Sequence, residues 1–250
     1  MRIYRIEHTT GPRFAREDGN ELVLLSAAPW ANGQVTSERV SLSTATLLAP
    51  VEPTKIVCVG RNYRAHAAEL GNQVPTEPLL FIKPNSALLA SSAAIVVPAA
   101  SQRVEHEAEI GVVIGKRLKQ VSAQEALQGV FGVTPVNDVT ARDIQKREVQ
   151  FTRAKGFDTF CPVGPAIVTD IDPLGLSVIG RVNGEQRQHG SASQMVFDIG
   201  TLLSFISHVM TLEPGDLVST GTPEGVGPLV AGDTVEVEIP GVGVLKNSVR

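Results

Sequence analysis

One stretch limits the fold more than any other. In VEHEAEIGVVIGKR, residues 104–117, three glutamates fall at 105, 107 and 109 before the apolar run IGVVI. Alternate residues of an extended chain share a face. Glu105, Glu107 and Glu109 therefore face one way, and His106, Ala108, Ile110, Val112 and Ile114 the other. Like charges side by side on a strand repel. Either solvent screens them at an exposed sheet edge, where charge discourages aggregation, or a cation neutralises them. The apolar continuation reads as central and buried. A second apolar strand, FGVTPVND, ends in Asp138 just before a helix start, and ligand-bearing residues collect at such ends. Alternation alone does not choose among the three glutamates. An all-carboxylate donor set suits a hard ion, Mg²⁺, Mn²⁺ or Ca²⁺, rather than Zn²⁺.

The remaining signals describe an α+β, β-rich chain. TKIVCVG, LLFIKP and AAIVVP read as strands, and the C-terminal half adds GPAIVT, LSVIGRVNGEQRQ, DLVSTG, TVEVEIP and VGVLKNSV. Asn183-Gly184 is a hairpin turn signal. Helical periods are few. NYRAHAAEL is expected to be capped by Asn62 and stopped by Gly71, SAQEALQGV to be capped by Ser122, and TARDIQKREVQ to be capped by Thr140. VFDIGTLLSFISHVM has apolar residues at helical spacing. No regular β-α-β alternation is present, which disfavours a doubly wound sheet or a TIM barrel. Residues 1–50 read as a small β-rich unit, and 51–250 as the main unit.

Several function classes are disfavoured. A net charge of -4 argues against a nucleic-acid partner, which calls for a basic excess. No GxGxxG or P-loop occurs, so no nucleotide cofactor is expected. No apolar run approaches the ~18 residues of a membrane span. MRIYRIEHTTGPRF lacks the apolar core of a signal peptide. Cys58 and Cys161 lie in apolar surroundings and read as buried thiols. A soluble cytoplasmic protein is the expectation.

From residue 55 onward, about four-fifths of the chain resembles the fumarylacetoacetate hydrolase family. KIVCVGRNYRAHAAELG, EPLLFIKPNSAL, VEHEAEIGVVIGK, VNDVTARDIQ, TRAKGFDTFCPVGP, VNGE, STGTPEGVGPL and GDTVEVEIPGVGVLKNSV occur in the family's order. The resemblance implies a mixed β-roll catalytic domain, a small N-terminal β unit as in some bacterial members, and a homodimer. It implies that Glu107, Glu109 and Asp138 hold Mg²⁺ or Mn²⁺, with Glu105 a neighbouring carboxylate.

His66 and Glu69 lie three apart on a short helix and share its face. By spacing alone they are an ordinary surface pair. The resemblance implies instead a water-activating dyad, with His66 the general base and Glu69 its partner, on a lid-like segment. It likewise implies that Arg142, Gln145 and Lys155 supply donors and positive charge around a developing enolate, and that Thr222 holds a substrate carboxylate. Arg61, Tyr63, Lys83 and Ser86 are further substrate-binding candidates. The first functional expectation is hydrolysis of a C–C bond in an acylpyruvate. The alternative is an isomerase or decarboxylase acting on 2-oxo or 2-hydroxy dicarboxylic acids in aromatic catabolism, such as a 2-hydroxyhepta-2,4-diene-1,7-dioate isomerase or an oxaloacetate decarboxylase. A non-catalytic metal-binding protein is the expectation from another class.

Overall fold

The computed structural model describes all 250 residues. Only five α-helices occur: α1 (Arg64–Glu69), α2 (Ala123–Leu127), α3 (Arg142–Arg147), α4 (Thr152–Lys155) and α5 (Ile199–Val209). The rest of the regular structure is mostly strand, and the class is α+β, β-rich, built from open sheets.

The main sheet has 11 strands. From Ile167–Val168 it runs through Val130–Asn137, Ala108–Ile114, Leu217–Ser219 and Ile56–Gly60 to the edge strand Leu79–Lys83. Leu217–Ser219 and Ile56–Gly60 pair in parallel, while Ala108–Ile114 and Val130–Asn137 pair antiparallel with Ala108 opposite Asn137. A five-stranded sheet packs on one face, its Val178, Val237 and Leu245 meeting Ala108, Ile110 and Val133. Farther along, α2 and α5 cover Val57, Val112, Ile114 and Val218. Alternation is therefore obeyed: Ala108, Ile110, Val112 and Ile114 enter the core, and Glu109 faces away from it.

The long acidic strand is broken. Val104–His106 pairs with Gly227–Leu229 and Thr140–Ala141 in a separate three-stranded sheet, whereas Ala108–Ile114 lies in the main sheet. Glu107 sits where the chain crosses from one sheet to the other.

The first 50 residues form strands that extend the main sheet through Arg2 opposite Val168 and Ile3 opposite Ile167. Trp30 anchors them, edge-on to Phe14 and Phe131 at 5.0 and 5.6 Å. Gly215 leaves the room: a Cβ there would come within 2.8 Å of the indole.

Local signals were obeyed where no tertiary partner competed. Ser122 and Glu125 form a capping box, and Asn183 and Gly184 take the positive φ values, 52° and 81°, of a tight hairpin. Two expected caps are corrected. Asn62 does not cap α1. Its amide donates to Phe197 O and Thr220 O and accepts from Phe197 N–H, which ties two loops together. Thr140 does not cap α3; it lies in a strand and its hydroxyl donates to Asp138 O at 2.9 Å. α3 also ends at Arg147 rather than Gln150, because Glu148 turns extended.

Candidate functional site

The sheet crossover builds the site. Glu107 N–H donates to Asn137 Oδ1 at 3.0 Å, and Asp138 N–H donates to Glu107 O at 2.9 Å. These bonds set Glu107 beside Asp138, and Glu109 follows two residues on, on the same face. One carboxylate oxygen from each of the three lies within 4.8 Å of the others, and all three residues are buried. The structure thus separates the three glutamates that alternation left equivalent. Glu105 turns to Arg103 Nε at 2.5 Å and Arg142 Nε at 2.6 Å.

Three buried cationic side chains surround the cluster. Lys155, from α4, donates to Glu107 Oε2 and Asp138 Oδ2, each at 2.7 Å. Lys83 donates to Asp138 Oδ1 at 2.6 Å and to Val139 O at 3.1 Å. Arg142, from α3, bridges Glu105, Glu107 and Gln145 Oε1. Four buried carboxylates thus meet three buried cations, and Glu109 is the one left without a basic partner. Its Oε2 accepts from Ser219 Oγ at 2.5 Å and Gly221 N–H at 2.9 Å, and its Oε1 is free.

The titration behaviour follows. Burial, with Asp138 and Glu107 alongside, pushes the Glu109 carboxyl up to about 8. Burial also opposes ionisation of Glu107, but Lys155 and Arg142 outweigh it and hold that carboxyl well below the usual range. Burial works against the Lys155 ammonium, which Asp138 and Glu107 nonetheless hold above its ordinary value. Glu109 has no basic partner and ionises near neutral pH only if a further positive charge arrives, so a cluster offering carboxylate oxygens there fits a hard divalent cation.

The cluster forms the floor of a cavity of about 480 Å³. His66, Arg142, Gln145 and Lys155 line it with the three carboxylates, as do Arg61 and Thr222. His66 is 5% exposed, and its Nδ1 lies 3.4 Å from Glu69 Oε2. Glu69 stands behind the ring, where it also accepts from Gly225 N–H at 3.1 Å. Arg61 has φ 58°, a left-handed backbone that is uncommon for a side chain of this size. The Thr222 hydroxyl donates to Ala108 O and accepts from Gln188 Nε2, so its one proton is already placed.

Three substrate-binding candidates do not line the cavity. Lys83 is fully buried beneath Asp138, because strand alternation turns it inward. Ser86 lies exposed in the short turn Asn85–Ala87. Tyr63 is buried with its hydroxyl unpartnered, and burial, with Glu109 and Glu224 nearby, pushes its phenol up. Sequence reasoning passed over Asn137, Ser219, Phe81 and Gln188. Asn137 and Ser219 lie within the motifs VNDVTARDIQ and STGTPEGVGPL. Phe81 lies within EPLLFIKPNSAL and reads there as an ordinary apolar strand residue, yet its ring lies 5.0 Å from Lys155 Nζ. Gln188 lies in a different sheet, and nothing in its local sequence links it to the carboxylates.

Known proteins resemble this chain in sequence and fold. Residues 55–250 match the Fumarylacetoacetate (FAA) hydrolase C-terminal family, and residues 1–50 match the Rv2993c-like, N-terminal family. Oxaloacetate tautomerase YisK of Bacillus subtilis is 42% identical, over 89% of this chain and 80% of its own length. The crystal structure of 2-hydroxyhepta-2,4-diene-1,7-dioate isomerase from Mycobacterium marinum superposes with a TM-score of 0.91 at 43% identity, covering 100% of this chain and 98% of that one. That of 5-carboxymethyl-2-hydroxymuconate delta-isomerase from Mycobacterium smegmatis gives 0.92 at 43%, covering 100% and 99%. The chain therefore belongs to the fumarylacetoacetate hydrolase family, and it is an enzyme of that family.

Proposed function

We propose that the protein is a cation-dependent isomerase that moves a proton between carbon and oxygen, or along a conjugated system, in small 2-oxo or 2-hydroxy dicarboxylic acids. The observation that carries this reading is a buried carboxylate triad and a histidine–glutamate pair lining or backing one cavity. The tautomerase and isomerase names of the relatives weigh in the same direction, towards the alternative expectation and away from hydrolysis as the first one.

In this reading Glu107, Glu109 and Asp138 hold Mg²⁺ or Mn²⁺. When bound, the cation supplies electrophilic stabilisation for negative charge developing next to a 2-oxo group. His66 takes and returns the carbon-bound proton through Nε2, while Glu69 orients the ring at Nδ1. Arg142 keeps Glu107 ionised and aimed, with Gln145 bracing its guanidinium. Lys155 supplies positive charge on the cavity wall. Arg61, which lines the cavity, receives the distal carboxylate, and Thr222 borders the near one. The protein acts as a cytoplasmic homodimer.

A substrate panel tests the reading. Oxaloacetate, a 2-hydroxyheptadienedioate and acetylpyruvate are each incubated in deuterated water and followed by NMR. Deuterium entering next to the 2-oxo group faster than without enzyme, and lost on EDTA treatment or in His66→Ala, is the expected result. Cleavage of acetylpyruvate without exchange or isomerisation of the other two would establish the hydrolase instead. The His66–Glu69 pair keeps that second reading in play, because it suits an activated water as well as a carbon acid.

A further inference from the structure

Glu107 is presented by a break in a strand, and a break leaves backbone groups without ladder partners. Two side-chain amides take their place. Asn137 Oδ1 accepts Glu107 N–H, and Gln188 Oε1 accepts Ala108 N–H at 2.9 Å. Gln188 is 1% exposed and belongs to Glu185–Ser191 of the five-stranded sheet. Its amide is fully used. Oε1 also accepts from His106 Nδ1 at 2.9 Å, and Nε2 donates to Thr222 Oγ1 and Pro223 O, each at 2.8 Å. Thr222 Oγ1 in turn donates to Ala108 O at 2.9 Å. The Ala108 peptide, the Thr222 hydroxyl and the Gln188 amide close a ring, which fixes the direction of every bond in it.

The ring extends to α1. Two residues beyond Pro223, Gly225 N–H donates to Glu69, the partner of His66. The loop packs closely against the strand that carries Gln188. Gly225 has φ 93°, and a Cβ there would lie 2.0 Å from Arg187 O, the residue beside Gln188.

We propose that Gln188 is a positioning residue that sets two parts of the site against each other. Through Ala108 it holds the crossover that aims Glu107 and Glu109. Through Thr222 and Pro223 it holds the loop that docks Glu69, and so His66, over them. The proposal rests on the carboxylates and the dyad forming one site. It does not depend on which substrate is turned over.

Gln188→Met keeps the side chain's length and removes every hydrogen bond. Gln188→Glu keeps the acceptor for Ala108 N–H and the carboxylate cannot donate to Thr222 and Pro223. Three readouts are compared with the wild type: Mg²⁺ affinity by calorimetry, hydrogen exchange of residues 64–70 and 219–227, and kcat for whichever substrate of the panel the wild type turns over. For Q188M, Mg²⁺ affinity should fall about 10–100-fold, the range for partners that orient metal ligands, and both segments should exchange faster. For Q188E, Mg²⁺ affinity should stay at least as tight as in the wild type while both segments exchange faster and kcat falls with little change in KM. Wild-type exchange at 64–70 in both variants would overturn the proposal. So would a Q188M protein that melts at a lower temperature but binds Mg²⁺ and turns over normally. If Q188M does not fold, Q188E decides alone. Should the wild type bind no Mg²⁺, the cation reading fails, and the exchange data still decide the role of Gln188.

Discussion

Glu109 is the residue on which the electrostatics of the site turn. Its carboxyl is pushed up to about 8 by burial, with Asp138 and Glu107 alongside, so near neutral pH without a cation it keeps its proton. A cation must displace that proton. Mg²⁺ titrated near pH 7 in buffers of different ionisation enthalpy should therefore release close to one proton, and affinity should tighten as pH rises towards 8. Stability carries the matching sign. The native state holds this proton more tightly than the unfolded chain, whose glutamate titrates near 4.5. That contribution is full below about 4.5 and is lost as pH rises through about 8. Thermal melts of the cation-free protein should show a decline over this range that is absent from Glu109→Gln, and the same variant should bind Mg²⁺ at least about tenfold more weakly, ~1.4 kcal/mol. Lys155→Met probes a different property. It removes the cation shared by Glu107 and Asp138 and should lower kcat by about 10²–10³-fold, the cost of losing one preorganised donor, while the protein still binds Mg²⁺ in calorimetry.

At the scale of elements, the site depends on short pieces held by others. α1 has six residues and no side-chain cap, too short to be stable alone. Its position comes from Asn62 on one side and from the Glu69–Gly225 contact on the other. Gly225→Ala combines a left-handed backbone with a collision against Arg187 O. It should cost about 1–3 kcal/mol in denaturant unfolding and loosen His66. Ser122→Ala, at a cap remote from the cavity, should cost about 1 kcal/mol with kcat unchanged. The two variants separate general destabilisation from loss of the dyad. Ser122 was legible in the sequence because a capping box is complete within four residues. Asn62 and Thr140 have the same cap chemistry, but Phe197 and Thr220, distant in the chain, claim the Asn62 amide, and Thr140 lies in a strand with its hydroxyl on Asp138 O two residues back.

At the scale of the whole molecule, the first 50 residues share the main sheet with the rest, and Ile3, Phe14 and Leu25 belong to the same apolar cluster as Ile56, Val136 and Leu217. Removing residues 1–50 would expose that cluster and a sheet edge at Ile167–Val168. A 51–250 fragment should melt well below the full chain, or aggregate, when the two are compared by calorimetry. The β-rich class, the hairpin at 183–184 and the acidic run of residues 105–109 were legible in the sequence itself, since each shows as a pattern over a few neighbouring residues, although the break at Glu107 was not. The family's motifs added the carboxylates and the dyad as a set. Only the tertiary structure decided that Glu105 is held between Arg103 and Arg142 outside the carboxylate triad, why Lys83 lies beneath Asp138 instead of in the cavity, and how Gln188 reaches the crossover from another sheet. Those are pairings across 37, 55 and 80 residues of chain. They are fixed by where the sheets cross and by the need to partner every buried charge, and no local pattern encodes either.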